Sequence, residues 1–288
     1  MTNDRLQKKI EKITNLPTLP EIVPEIMRII NNPGSSSGDV ANTISHDPAL
    51  STKILRLANS AFYGIPRSIA SINNAIVILG FKVVGTIVIS LTVFDMFPSD
   101  KKNDLFNRRA FWRHCTGCGL LCRFLAEKIS TSFPFDAEEA FCAGLLHDIG
   151  KVVMEQYMHD DFHKALLFAK NNHIPQYNAE KETLKYTHAD VAGWLTSNWD
   201  LPLHLQLPMI FHHEPLSAKS CNAMVNLCHI ADGLCYDLKL YVDEEDSPPK
   251  LDKTAQTRLC LSDADIEQVK TRLADELDKV DLFCGIAS

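Results

Sequence analysis

An all-α fold is predicted by three observations. Apolar residues recur at three- and four-residue spacing through most of the 288-residue chain. Proline, glycine and Ser or Asp caps punctuate those stretches at helix-length intervals. The most β-branched stretch, Val83 to Val93, has neither a hairpin partner nor an alternating pattern, so helix is preferred there over strand.

Taken in order, an amphipathic helix is expected from Leu6 to Leu16, closed by Pro17. Ile22, Ile26, Ile29 and Ile30 mark a second, with Pro20 near its start and Asn31-Asn32-Pro33-Gly34 as its stop. After the loop Ser35 to Asp39, a helix carries Val40 and Ile44, and Asp47-Pro48 opens another striped by Leu50, Ile54, Leu57 and Ala58. Ser71 caps the next, which Gly80 ends. Asp100 to Asn103 is a charged link. A long helix then runs from Leu105 to about Ile129, Pro134 and Asp136 start the next, and others cover about 151–159, 162–171 and 180–199. Pro202 and Pro208 bracket a short helix, and Cys221 to Leu238 forms a long one. The polar segment Asp243 to Thr257 reads as a linker or mobile loop, and a last helix capped by Ser262 buries Ile266, Val269, Leu273 and Leu277.

With 45% apolar residues the chain can build a substantial core. Its formal charge of −7 argues against binding a nucleic-acid polymer or an anionic membrane. The start, MTNDRLQKKIEKITNLP, places charges where a signal peptide needs an apolar core. The run Ala75 to Phe97 is interrupted by Gly80, Lys82, Gly85 and Asp95, so it reads as a buried helical hairpin and not a membrane span. Nine cysteines scattered through apolar segments fit reduced thiols, and hence a cytoplasmic protein. Cys115-x2-Cys118-x3-Cys122 has the spacing of one helix face, which favours core packing over zinc.

The segment Gly144-Leu145-Leu146-His147-Asp148-Ile149-Gly150-Lys151 carries the chemistry. Alone, its His-Asp pair reads as a helix end in which each residue caps a backbone group. Three other apolar helices, however, carry His114, His188 and Asp232, and a loop supplies His212-His213. Each taken singly is an ordinary histidine or aspartate. Imidazole and carboxylate groups from several segments that otherwise bury their faces are what a metal site in a helical bundle requires.

The order His, His-Asp, His, His-His, Asp resembles the HD superfamily of metal-dependent phosphohydrolases, with the added histidines of its binuclear HD-GYP-like members. The stretches Leu19 to Ile22, Asp47 to Tyr63 and Ser71 to Gly80 are similar to the HDOD family, over most of residues 10–240. The resemblance implies an N-terminal helical subdomain, residues 1–100, packed on an HD-type helical bundle, 101–242, with an acidic linker and amphipathic helix over 243–288. It implies a basic metal site of His114, His147, Asp148 and Asp232, with His188, His212 and His213 holding a second ion. One or two divalent cations (Fe, Mn, Ni or Zn) would bind, bridged by Asp148, with a bridging water as nucleophile and Lys151 steadying a phosphate. No Gly-Tyr-Pro follows His212-His213-Glu214-Pro215, so the cyclic di-GMP assignment is not supported. Two functions are carried forward. The first is a bacterial signal-transduction module that acts through contacts with a signalling partner protein, a homo-oligomer included. The other is a phosphohydrolase or phosphodiesterase acting on a nucleotide or cyclic dinucleotide.

Overall fold

The computed structural model describes residues 4–11, 13, 18–30, 32, 34–98, 105–129, 132–133, 136–218, 223–243 and 246–287. It is 73% helical, with no strand among the described residues. In order, the first six helices are α1 (Asp4–Ile10), α2 (Ile22–Ile30), α3 (Ser37–Ser45), α4 (Pro48–Ala58), α5 (Ile72–Leu79) and α6 (Phe81–Met96). Next come α7 (Arg108–Ile129), α8 (Ala137–Leu146), α9 (Ile149–Tyr157), α10 (His159–Asn172), α11 (Gln176–Thr183) and α12 (His188–Asn198). The last five are α13 (Leu203–Phe211), α14 (Ala223–Asp237), α15 (Lys253–Arg258), α16 (Asp263–Asp275) and α17 (Leu277–Ala287). No helix is long and apolar enough to cross a membrane among the described residues.

The chain groups into two compact units, each discontinuous: residues 19–100 with 275–288, and residues 1–18 with 101–274. Contacts thus divide the segment 243–288, expected as one appendage, between the two.

In the first unit, local signals and structure agree closely. Asp47 accepts from the Leu50 amide to cap α4, and Ser71 does the same for α5 through Asn74. Ser36 and Asp39 form a capping box, which places Asp39 inside α3 and not in the preceding loop. Gly80, at φ +91°, ends α5, and the β-branched stretch continues as helix α6. A Cβ at Gly85 would lie 2.1 Å from Ile30 Cδ1, so α6 approaches α2 closely there. Phe283 of α17 packs on Phe62 at 4.9 Å, and Lys53 reaches both Asp95, at 2.5 Å, and the Ala287 carbonyl, at 3.2 Å.

The second unit is organised on α7, a 22-residue helix with sixteen buried residues. Helix α8 lies against it at glycines: a Cβ on Gly119 would be 2.9 Å from the Phe141 carbonyl, and one on Gly144 2.8 Å from that of Cys118. The eight described cysteines are free thiols, and Cys115, Cys118 and Cys122 are buried along α7.

Several boundaries differ from expectation for identifiable reasons. Helix α1 ends at Ile10; residues 14–17, including Pro17, lie outside the described residues, as do Asn31, Pro33, the link Asp100 to Asn103, Pro134 and Cys221. The helix expected over 180–199 is two, because Lys185 adopts φ +67° and Thr187 with Asp190 builds a capping box that starts α12 at His188. Pro208 lies within α13, and its carbonyl accepts from the His212 amide. The segment read as a linker contains α15 and is anchored to the body at Asp252. The last helix is two, α16 and α17.

Candidate metal centre

Six short-range events bring the polar residues of the second unit to one point. His114 is on α7, His147 caps the end of α8, Asp148 begins α9, His188 opens α12, His212-His213 follow α13, and Asp232 is on α14. Burial is nearly total: His147, Asp148, His188 and His212 are 0% exposed, His114 2% and Asp232 3%.

Asp148 turns one oxygen toward each half of the cluster. Its Oδ1 is 3.2 Å from His188 Nε2 and 3.4 Å from His212 Nε2. Its Oδ2 is 3.4 Å from His147 Nε2 and 3.7 Å from His114 Nε2, which is itself 3.3 Å from Asp232 Oδ1. His213 Nε2 lies 3.0 Å from His188 Nε2. Three overlapping groups, Asp148-His188-His212-His213, His114-His147-Asp148 and His147-His212-Asp232, each hold their donor atoms within 4.8 Å of one another and could hold a metal ion. All seven residues proposed from the sequence fall in these groups.

The rings are oriented from behind. Nδ1–H of His114 donates to the Leu240 carbonyl at 2.7 Å, that of His147 to Gly144 at 2.7 Å, and that of His212 to Pro208 at 2.9 Å. Each bond leaves the Nε2 lone pair facing the cluster, the tautomer a metal ligand needs. His188 differs: its Nδ1–H donates to the Glu180 carboxylate at 2.7 Å, and its amide donates to the same oxygen at 2.8 Å.

Two atoms test whether a cation fits. Asp148 Oδ1 and His212 Nε2 are buried 3.4 Å apart, and neither has a hydrogen-bond partner. An orphaned buried polar atom costs about 1–3 kcal/mol. A cation between an oxygen and an imidazole nitrogen would satisfy both, and the mixed donor set suits a borderline divalent ion.

Lys151, expected to steady a phosphate, is turned to Asp148. It is 7% exposed and donates to Asp148 Oδ2 at 2.5 Å. Burial works against ionised Asp148, yet Lys151 and His147 hold its carboxyl well below the ordinary range. Burial likewise lowers His213, and the neighbouring His212 and His188 add to this, which favours its neutral, ligating form.

Residues 16–215 match the HDOD domain family. The chain belongs to that family.

A solved HDOD domain protein of Geobacter sulfurreducens, of unknown function, is 22% identical over 97% of each chain with TM-score 0.82. A candidate phosphohydrolase of Shewanella amazonensis SB2B is 26% identical, covering 99% of this chain and 98% of that one, with TM-score 0.76. An uncharacterized protein of Treponema pallidum (strain Nichols) is 26% identical over 204 residues, 71% of this chain but only 39% of the relative's length.

Two positions in this HDOD chain escape sequence reading. Glu180 is 0% exposed, and nothing in its local pattern separates it from solvated Glu182. Only the turn at Lys185 brings it to His188. We expect Glu180→Gln to weaken metal binding at the group containing His188 by about 10–100-fold, the usual cost of losing a carboxylate behind a ligating histidine. Calorimetric titration with Mn(II) checks this: one weakened site beside one unchanged site is the expected result, and two unchanged sites would refute the role. His229 is the other position. Its Nδ1–H donates to the His212 carbonyl at 2.6 Å, and its Nε2 accepts from the Asp252 amide at 2.8 Å. It therefore fixes the His212-His213 corner without being a ligand.

His213 marks where the cluster meets solvent, with 9% of its side chain exposed. Beside it opens a cavity of about 550 Å³, walled by α11, the turn 213–217 and the segment 249–253. Tyr177 lies against the His213 ring at 4.4 Å between centroids, and burial pushes its phenol up to about 12.

Proposed function

We propose that this HDOD protein is a metal-dependent phosphohydrolase serving signal transduction, with the seven-residue cluster as its reaction centre. The facing orphans Asp148 Oδ1 and His212 Nε2 carry the reading, because they leave a buried pair unsatisfied without a cation. The 26% identity to a candidate phosphohydrolase of matching fold, over 98% of that chain, supports it.

His114, His147, Asp148 and Asp232 would hold one ion, and His188, His212 and His213, sharing Asp148, a second. Divalent ions bound there supply Lewis-acid polarisation of a phosphoryl oxygen. The chain's own residues do the rest. Glu180 orients His188, Lys151 offsets the charge of Asp148, and the backbone carbonyls behind His114, His147 and His212 hold the ligating tautomers. Burial of six donors excludes bulk water, while the His213 edge admits a phosphoester.

A second reading, a module that signals through protein contacts with a metal kept for stability, is favoured by one observation. Lys151 is paired with Asp148, so its charge is offset before any phosphate arrives. A bound metal contributes folding free energy directly, which suffices to retain ligands.

The two separate cleanly. Protein purified without a metal-affinity tag is analysed for metal, then incubated with Mn, Fe or Ni against bis-p-nitrophenyl phosphate, nucleotides and cyclic dinucleotides, beside His212→Ala. Turnover that disappears in the variant is the expected result. Stoichiometric metal with no turnover on any substrate would overturn the hydrolase in favour of the contact module, and no metal uptake would sink both metal readings.

A further inference from the structure

We propose that the cavity beside His213 is a recognition site for a small phosphoester whose remainder is an apolar ring; the proposal rests on the metal-site reading and names the substrate class for it. The cluster's other six ligand residues are at most 3% exposed, so a phosphoester reaches it past His213. The cavity there, about 550 Å³, is of small-molecule size.

Its lining has two chemistries. Leu216 is 53% exposed and Leu251 44%, two of the six large apolar side chains left open among the described residues, and both face this one cavity. Isolated exposed leucines are ordinary; two converging on the mouth of a buried polar cluster mark an apolar body to be covered. Lys181 is committed to Glu214, but Lys250 and Lys253 make no ion pair among the described residues, so the wall attracts an anion. The Asp252 carboxylate, which caps α15 through the Thr254 amide and hydroxyl, offsets one of these two charges and leaves the other for an anion.

The wall also exists before any ligand arrives. The Asp252 amide donates to His229, and Leu251 fills a notch at Gly233, where a Cβ would lie 2.3 Å from Leu251 Cδ2. A preformed apolar wall does not have to be ordered on binding, so covering it contributes to affinity. An apolar ring set on it should bind about ten- to a hundredfold more tightly than the same phosphoryl head alone.

The test uses 1-naphthylphosphonate and methylphosphonate, which carry no hydrolysable ester, titrated calorimetrically into the Mn-loaded and metal-free 288-residue chain. The expected result is a preference for the naphthyl compound of about tenfold or more, most of which is lost in Leu216→Ser, a substitution at an exposed position. Lys250→Ala/Lys253→Ala is expected to weaken the naphthyl compound. Equal affinities for the two compounds, or a preference untouched by Leu216→Ser, would overturn the proposal while metal uptake, measured separately, still supported the metal centre. A Leu216-dependent preference in a protein that takes up no metal would support the cavity and overturn the metal-site reading.

Discussion

Gly150→Ala is expected to dismantle the site and destabilise the protein, although alanine is the better helix former by about 1 kcal/mol. A Cβ at this position would stand 1.9 Å from the His188 carbonyl oxygen, 2.7 Å from its carbonyl carbon and 3.2 Å from the Ala192 nitrogen. All three are backbone atoms of α12, so no side chain can rotate away. Helix α9 must retreat from α12, carrying Asp148 from its place 3.2 Å from His188. Overpacking a well-filled contact costs about 1–3 kcal/mol, and a clash with backbone belongs at the upper end or beyond. Urea unfolding with parallel Mn(II) titration measures both effects. A variant as stable as the wild type, with unchanged metal affinity, would show that α9 and α12 are not held this close.

Asp148→Ala is expected to abolish metal uptake at both groups and also to destabilise the protein when no metal is present. Asp148 belongs to two of the three donor groups, so its loss removes a ligand from each half of the cluster. The stability effect has a different origin. Lys151 is 7% exposed and donates to Asp148 Oδ2, so removing the carboxylate leaves a buried ammonium without its counter-ion. Breaking a buried pair from one side costs about 3–5 kcal/mol, whereas replacing both members with apolar groups is often neutral. Asp148→Ala/Lys151→Met should therefore recover most of the stability and none of the metal. Chemical denaturation in the presence of a chelator, followed by metal analysis after reloading, separates the two roles. A single variant with wild-type stability would show that Lys151 does not depend on Asp148.

The candidate centre was more legible than the details of the helices that carry it. His114, His147, Asp148, His188, His212, His213 and Asp232 stand out because ionisable residues inside apolar helical stretches need partners, and the structure brings them together. Glu180 did not stand out. A glutamate on an expected helix face reads as solvated, and it becomes buried only because Lys185 turns the chain and Thr187 restarts it. The segment 243–257 misled in the opposite direction. Its polar, proline-containing composition signals a linker, yet one backbone bond to His229 and one leucine in a glycine notch make residues 249–253 a wall.

By itself the sequence determined the all-α class, the opening of α4 at Asp47-Pro48, the Ser71 cap of α5 and the set of candidate ligands. These follow from local periodicity, from hydrogen bonds spanning two to four residues, and from the cost of burying an unpartnered polar group. Tertiary structure alone decided that Asp148 faces both halves of the cluster, that Lys151 is spent on it, that Gly150 must be glycine, and that His213 is the edge open to a cavity. Each of those depends on how closely helices distant in sequence approach one another, and a helical pattern specifies which face is buried without specifying what lies against it.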